Sequence, residues 1–330
     1  MINKHTKSAC CKASVLHFGQ RRRQCKKCKK TWRVRKKKVG RKTRRGDASI
    51  IIKFLEHRTS TFSHLARVKG LPKSTFQYRV SRMLDDFLLK TPWPSIPQKG
   101  PLILVADGRV KYVEKGWFTG YFFFARMINE IEATILPPVW CPGTETSTKW
   151  REVFENLPQD ILSRIVALVC DGHTGLVQEA RRRGWLLQRC HAHLIKRIQS
   201  RRSRWYSSRH RPEGEEIYTL VKKVLTDQGG QELSVILSRL KEIALNTSSR
   251  DLKNTLSGFI NNYEDWRTYL KYPNLNLPTT NNTAESFSGC IHSLVHRARG
   301  FRSRLKLQKW VAALIKNKKT IKCRGNSQPS

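Results

Sequence analysis

Apolar positions recur at helical spacing over about residues 50–87 of the chain. Four apolar residues at 50, 51, 54 and 55 would share one side of a first helix, with Asp47 as its cap. Similar spacing predicts a second helix over about 62–69, which Gly70 ends, and a third over about 73–87. A three-helix packing unit would show the same pattern. The turn glycine and the basic outer face of the third helix favour a helix-turn-helix instead.

The outer face of the third helix carries side chains suited to phosphates and base edges. These candidate DNA contacts are Ser74, Thr75, Gln77, Tyr78, Arg79 and Arg82.

Strand-like runs follow a proline-rich linker at 91–101, which neither a helix nor a central strand would tolerate. An apolar run at 102–106 predicts a buried strand that ends at Asp107, and residues 110–113 either continue it or begin the next strand. A second apolar run, at 165–170, leads directly into Asp171.

The remaining pattern mixes short strands with helices. Further strands are predicted at 121–125, 132–136 and 185–188, helices at 148–156 and 176–183, and a long helical stretch over 194–270. The resulting order, β-β-β-α-β-α-β-α, is typical of an α/β domain of the RNase H-like kind.

Charge is distributed very unevenly. The formal net charge is +41, and no Asp or Glu occurs before Asp47 or after Glu285. Such an excess indicates a polyanionic partner such as DNA or RNA, although an architectural protein could share it. Nine Trp and an apolar fraction of 38% indicate a packed core. No apolar run is long enough to span a membrane, so we expect an intracellular protein (cytoplasmic, nucleoid-associated) with no membrane partner.

Cysteine usage indicates metal ligation near the N-terminus. The nine cysteines are an odd number, and Cys25 and Cys28 form a Cys-x-x-Cys pair, which is half of a tetrahedral zinc site. Cys10 or Cys11 would be a third ligand, and His5, His17 or the other adjacent cysteine a fourth. The sequence therefore predicts a zinc-ribbon-like module over 1–46, with a degenerate ribbon without metal as the alternative.

Asp107 and Asp171 are each followed by glycine, and each comes directly after a buried apolar run. Ligands collect at the carboxyl ends of strands in α/β sheets, so two such carboxylates would form an oxygen-rich site suited to Mg²⁺ or Mn²⁺. Asp is also a common turn residue, and one Asp-Gly pair alone would indicate nothing.

A third acidic residue lies in the segment Thr279-Thr-Asn-Asn-Thr-Ala-Glu285, where polar caps precede a predicted helix. The helix N-terminus would help to hold the carboxylate of Glu285. Asn281 or Asn282 would orient that carboxylate or contact DNA. The alternative is a capping box, in which Glu285 only supports its own helix.

Together, these motifs resemble the pattern of Mutator-like transposases, whose core bacterial insertion-sequence enzymes share. The resemblance covers about residues 100–305. It rests on Asp107, Asp171-Gly172, Cys190-His-Ala-His193, the Thr-Asn segment ending at Glu285, and a basic segment that includes Arg297 and Arg299.

The resemblance implies an RNase H-like core with an all-helical insertion, in which Asp107, Asp171 and Glu285 bind two divalent metals. Such a site would cut one strand at the end of a mobile element and join the freed 3′-OH to target DNA. Partners would be double-stranded DNA (terminal inverted repeats and target) and a second copy of the chain on DNA. The domains would be a zinc-ribbon-like module at 1–46, a helix-turn-helix at 47–90, a linker at 91–101, core segments at 102–193 and 276–330, and the insertion at 194–275.

Two further motifs stay open at this stage. Cys190 and His193 form a possible half-site for zinc, with His191 and His210 near in sequence, or a packed Cys and a hydrogen-bonding His. Trp205 and Tyr206 lie among arginines and suit a frayed DNA end, although core packing is the commoner role of such rings.

Three functions compete. An active transposase needs all three carboxylates, and all three are present. A transposase-derived DNA-binding protein without catalysis would need only the N-terminal modules. A stand-alone RNase H-like nuclease would need no base-reading helix.

Overall fold

The chain is a mixed α/β protein that divides into two compact units, Met1–Asp47 and Ala48–Ser330. The computed structural model describes residues 8, 10–18, 22–33, 49–56, 61–97, 99–202, 211–227, 231–301 and 303–325.

The N-terminal unit contains a small antiparallel sheet of three strands, β1 (Val15–Phe18), β2 (Arg22–Cys25) and β3 (Thr31–Arg33). A tight turn joins β2 to β3: the Lys29 amide donates to the Cys25 carbonyl at 3.0 Å, and Lys29 adopts a left-handed conformation with φ 59°. This turn holds Cys25 and Cys28 on one short segment, as the Cys-x-x-Cys spacing predicts.

The second unit begins with three helices, α1 (Ser49–Glu56), α2 (Phe62–Val68) and α3 (Lys73–Lys90). They follow the predicted helical spacing, and α3 runs to Lys90 rather than to 87. Thr61 caps α2, because its hydroxyl accepts from the His64 amide at 3.2 Å. Gly70 follows α2 with φ +60°, a conformation that favours glycine.

The sheet region alternates strands and helices along the chain. Its elements are β4 (Leu102–Val113), β5 (Gly116–Met127), β6 (Glu132–Ile135), β7 (Val139–Pro142), α4 (Ser147–Glu155), α5 (Gln159–Leu162), β8 (Ile165–Cys170), α6 (Thr174–Arg182) and β9 (Leu186–Arg189).

Helices dominate the rest of the chain. They are α7 (His191–Arg202), α8 (Arg211–Thr226), α9 (Gln231–Asn246), α10 (Arg250–Ile260), a 3₁₀ turn at Tyr263–Trp266, α11 (Thr268–Lys271), a second 3₁₀ turn at Pro273–Leu275, α12 (Asn282–Arg297) and α13 (Arg304–Lys318), followed by the short strand β10 (Thr320–Lys322).

The strands form one mixed sheet in the order β10-β6-β5-β4-β8-β9, and β7 pairs separately with β5. The pairs β10–β6, β6–β5 and β5–β4 are antiparallel, whereas β4–β8 and β8–β9 are parallel. The strand predicted to end at Asp107 is longer than expected. Residues 108–113 continue β4 because each of them pairs with a residue of β5.

Alternation along the strands gives the sheet two apolar faces. Ile103 and Val105 of β4 face a core that α12 and α13 cover. Leu104 and Ala106 face the opposite core, which α4 and α6 cover and in which Trp150 is fully buried. Helices α7 to α10 form a third apolar cluster of their own.

The three N-terminal helices of the second unit pack on α13. Phe54 of α1 stacks on Phe62 of α2 at 4.2 Å, and its ring meets Trp310 of α13 edge-on at 5.0 Å. The ammonium group of Lys316 on α13 donates to the Leu88 carbonyl at 2.8 Å. These helices therefore share a core with α13 and with the covered sheet face.

Candidate active site and metal centre

Asp107 on β4 and Asp171, the residue directly after β8, lie at matching positions of two neighbouring parallel strands. Val105 of β4 is paired with Val169 of β8, and each Asp comes two residues after its strand's paired valine. Because adjacent strands lie about 4.8 Å apart, the two backbones bring these carboxylates side by side. By strand alternation, Asp107 points to the same face as Val105, the face that α12 covers.

Glu285 reaches this face from the first turn of α12. The ring of Phe287, two residues later, is fully buried and meets the rings of Phe122 and Phe124 at 5.5 Å each. Phe122 is also the residue opposite Asp107 in the β4–β5 pairing. The same aromatic contact therefore fixes α12 next to the strand that carries Asp107.

The electrostatics of Asp107 record this convergence. Burial raises the pKa of Asp107 to about 7, with further increases from the charges of Asp171, Glu145 and Glu285, in that order. The nearby cation Arg109 lowers it. The carboxylates are thus close enough to repel one another. They do not form a tight cluster, however: in the described part of the chain, no three acidic residues bring ligand atoms within 4.8 Å of one another.

Glu145 is a fourth carboxylate of this candidate site, and no sequence motif pointed to it. It lies in the loop before α4, and its carboxylate rests against Gly108, where an added Cβ would lie 2.5 Å from Cδ of Glu145. The indole nitrogen of Trp150 donates to its Oε1 at 2.6 Å, and Nδ1 of His173 lies 3.9 Å from the same oxygen. Burial raises the pKa of Glu145, and Asp171 contributes to that increase.

Asp171 is held by the loop that follows β8. Its Oδ1 accepts from the His173 amide at 2.8 Å. Gly172 has φ +94°, and a Cβ there would lie within 2.5–2.9 Å of the Arg189 guanidinium. That guanidinium in turn lies 3.8 Å above the Trp266 ring. Glycine at 172 therefore meets both a backbone and a space requirement.

Cys190 and His193 lie beside Glu285 rather than in a metal cluster of their own. The Asn281 amide donates to Sγ of buried Cys190 at 3.3 Å, and Nε2 of His193 lies 3.7 Å from Oε1 of Glu285. No group of three metal-ligating side chains among the described residues includes either one. The contacts favour the packed-Cys interpretation over a zinc half-site, and they tie the loop before α12 to the start of α7.

Two of the predicted DNA contacts, Arg297 and Asn281, have buried side chains in this structure. Arg297 is 6% exposed; its guanidinium donates to the Phe54 carbonyl and lies 4.8 Å over the Phe54 ring. It joins α12 to α1 and does not face solvent. Asn281 is 0% exposed, which agrees better with the alternative that it orients the start of α12. Asn282 and Arg299, by contrast, are exposed.

The predicted outer face of α3 is exposed, as expected from its pattern. Phe76, Val80 and Leu84 are buried in the core. The polar and basic candidates are all exposed, namely Ser74, Thr75, Gln77, Tyr78, Arg79 and Arg82. Their availability to a ligand follows from the helical period.

Four cysteines of the N-terminal unit form a compact cluster. The sulfur atoms of Cys10, Cys11, Cys25 and Cys28 all lie within 4.8 Å of one another, and those of Cys10 and Cys28 are 3.4 Å apart. A tetrahedral zinc ion with bonds of about 2.3 Å requires sulfurs about 3.8 Å apart, so the spacing fits zinc. The Ser8 hydroxyl donates to Sγ of Cys25 and, as the largest of several causes, lowers the pKa of that thiol to about 6, which favours the thiolate that binds metal.

Both adjacent cysteines, Cys10 and Cys11, therefore belong to the cluster. Among the described residues, they are the candidates for the third and fourth metal ligands. Several sequence candidates lie outside those residues: His5, Asp47, Trp205, Tyr206 and His210, together with the side chain of His17.

Comparison with known proteins identifies the family. Residues 132–320, more than half of the chain, match the family "Transposase, Mutator family". The matched segment contains Asp171 and Glu285 and begins after Asp107. A search of curated proteins finds no match. Within the described residues, no helix combines the length and the apolar character needed to cross a membrane. The chain belongs to the Mutator family of transposases.

Proposed function

We propose that this transposase cuts and joins DNA with a DDE triad of Asp107, Asp171 and Glu285 in an RNase H-like core. The single observation that carries the proposal is the matching position of the two aspartates, Asp107 within β4 and Asp171 directly after β8, with α12 packed across the face of Asp107. The chain order of strands and helices from β4 to α7 supports the assignment of the core.

The donor set fits two divalent cations. Carboxylate oxygens are the preferred ligands of Mg²⁺ or Mn²⁺, and ions about 4 Å apart can be bridged by one carboxylate while the others bind one ion each. Asp107, Asp171 and Glu285 would hold these ions. The repulsion that raises the pKa of Asp107 is the kind that bound cations relieve.

When bound, the metals would activate a water or a 3′-hydroxyl and neutralise charge on the phosphate. The protein's own residues position this chemistry. Asp171 is oriented by the His173 amide, Glu285 lies beside the His193 imidazole, and the Phe287 ring fixes α12 on the sheet. Holding the groups in place before reaction lowers the entropic cost of the transition state.

The other modules would bind DNA and bring element ends to this site. We infer that α2 and α3 form a helix-turn-helix whose exposed face contacts the terminal repeats, and that the cysteine cluster holds Zn²⁺ in a ribbon at 1–46. Joining two ends requires two copies of the chain on DNA, which follows from the reaction. The alternative, a binding protein without catalysis, would keep these modules and lose metal-dependent cutting.

The test is Mg²⁺-dependent cleavage of DNA taken from the inverted repeats that flank the coding region. Asp107→Ala, Asp171→Ala and Glu285→Ala should each abolish cleavage and strand transfer and leave DNA binding intact. Asp160→Ala, an exposed residue of α5, is the control and should cut normally. Cutting by all three triad variants would refute the triad, and binding without cleavage by the wild type would favour the alternative.

A further inference from the structure

Strand β4 continues six residues beyond Asp107 and carries two cations on the way. Arg109 and Lys111 follow at alternate positions, so their side chains share the face of Asp107. At about 3.3 Å per residue, they lie roughly 7 and 13 Å from Asp107 along the strand. The face of the proposed active site therefore extends into a basic stretch of the same strand.

Neither of these two cations forms a close ion pair, although the charge of Arg109 acts on the nearby carboxylate of Asp107. In the portion of the chain that the structure describes, neither forms an ion pair within 4.0 Å of a carboxylate, and Nε of Arg109 is buried without an acceptor. The pKa of Lys111 is lowered by burial and by the neighbouring charge of Arg109. Two half-buried cations that repel each other are costly unless an anion joins them.

The neighbouring strand gives this stretch a rigid wall. Gly120 lies opposite Arg109, and a Cβ at Gly120 would come within 2.6–2.9 Å of the Trp140 ring. Phe118, opposite Lys111, stacks on Trp140 at 5.2 Å and 7°. The aromatic surface beside the two cations is therefore packed in place.

We propose that Arg109 and Lys111 bind phosphates of the DNA strand adjoining the bond that is cut at the carboxylates. The inference rests on the proposed function, because the cut phosphate defines where the strand begins. A strand that leaves the carboxylates along β4 would place its next phosphates against these side chains. Their backbone spacing of about 6.6 Å is about twice the axial rise of about 3.4 Å per phosphate of one DNA strand, so the two side chains can reach separate phosphates.

The experiment measures binding as a function of salt, with a labelled duplex from the flanking inverted repeat and with Ca²⁺ in place of Mg²⁺ to prevent cutting. Arg109→Gln/Lys111→Gln should reduce the slope of log K against log salt by about 1.8, since each phosphate contact contributes about 0.9. Lys111→Gln alone should reduce it by about half as much. The matched control, Lys241→Gln/Lys253→Gln, removes the same charge from exposed positions of α9 and α10 and should leave the slope unchanged.

A phosphate-resolved measurement locates the contact. Neutral methylphosphonates next to the cut position should weaken binding to the wild type and have no further effect on the double variant. Equal effects in both proteins, or equal slope changes in the double variant and the control, would overturn the proposal.

These outcomes are separable from a failure of the triad. Cutting by Asp107→Ala would refute the proposed chemistry, whereas the binding slopes would still report on Arg109 and Lys111. Loss of cutting in the triad variants with unchanged slopes in the double variant would refute the phosphate contacts alone.

Discussion

Replacing Gly108 with alanine tests whether the carboxyl group of Glu145 packs against the strand that carries Asp107. The new Cβ would lie 2.5–2.7 Å from the three atoms of the Glu145 carboxyl group. Carbon atoms prefer separations of about 3.5 Å, so the carboxyl group must retreat by about 1 Å. That movement weakens the hydrogen bond that the Trp150 indole nitrogen donates to Oε1 of Glu145, which is 2.6 Å long.

The expected cost is about 1–3 kcal/mol in the free energy of unfolding, as for other overpacked positions. Urea unfolding measures it. Gly258→Ala is the control: this exposed glycine of α10 has nothing within 4 Å of an added Cβ, so the change should be neutral or stabilise by up to about 1 kcal/mol.

A double-mutant cycle isolates the contact. In a Glu145→Ala background, Gly108→Ala should lose most of its cost, because the atoms that it displaces are gone. If Gly108→Ala is as stable as the wild type, or if its cost is the same in both backgrounds, Glu145 does not lie where the structure places it.

Three other predictions follow from named contacts. Glu145→Gln should weaken Mn²⁺ binding about tenfold, which would reduce the stabilisation by Mn²⁺ in thermal unfolding by about 1.4 kcal/mol. The control Glu152→Gln, on α4, should leave Mn²⁺ binding unchanged. Equal effects of the two substitutions would contradict a role of Glu145 in metal binding. Cys28→Ser should lower the bound zinc measured by metal analysis from one ion per chain, and an unchanged content would exclude this cluster. Arg297→Met should destabilise the fold by about 1–3 kcal/mol, because the Phe54 carbonyl loses its donor, and should leave the salt dependence of DNA binding unchanged. A change in the slope of DNA affinity against salt concentration would instead indicate that Arg297 contacts DNA.

Long periodic segments were predictable from the sequence. Helix α3 follows its apolar spacing closely, because it is long enough for the helical period to be recognised from its own residues. Strand β8 matches its prediction because a continuous apolar run marks a fully buried strand. Glu285 was likewise expected in the first turn of a helix, since polar caps precede it. These features depend on local physics alone.

Two of the short strands were not predicted, although the equally short β6 and β9 were, at 132–136 and 185–188. Strands β7 and β10 contain four and three residues, and pairing with β5 and β6 rather than their own pattern defines them. The extension of β4 past Asp107 has the same cause, because it exists through its partner strand. Register is a property of two segments, and one segment does not encode it.

Side-chain roles diverged for a related reason. Arg297 and Arg299 are neighbours in one basic segment, yet the first is buried against α1 and the second is exposed. In the sequence, Glu145 cannot be distinguished from other loop carboxylates. Its role becomes visible only in the structure, where its carboxyl group packs against Gly108 of β4. Composition indicates how many cations and carboxylates are present, and packing decides which of them face a ligand.

The arrangement of charge on β4 connects the proposed metal binding with the proposed DNA binding. Along one strand face, Asp107 is followed by Arg109 and Lys111, so the sign of the charge changes within two residues. A polyanion alone would be repelled by the carboxylates, and metal ions alone would be repelled by the cations. A DNA strand whose cut phosphate lies over bound metal ions avoids both kinds of repulsion. The metal ions neutralise the carboxylates, and the neighbouring phosphates contact Arg109 and Lys111. Metal and DNA should therefore bind cooperatively: Ca²⁺ should tighten DNA binding in the wild type and much less in Asp107→Ala, and equal tightening in both would break this connection.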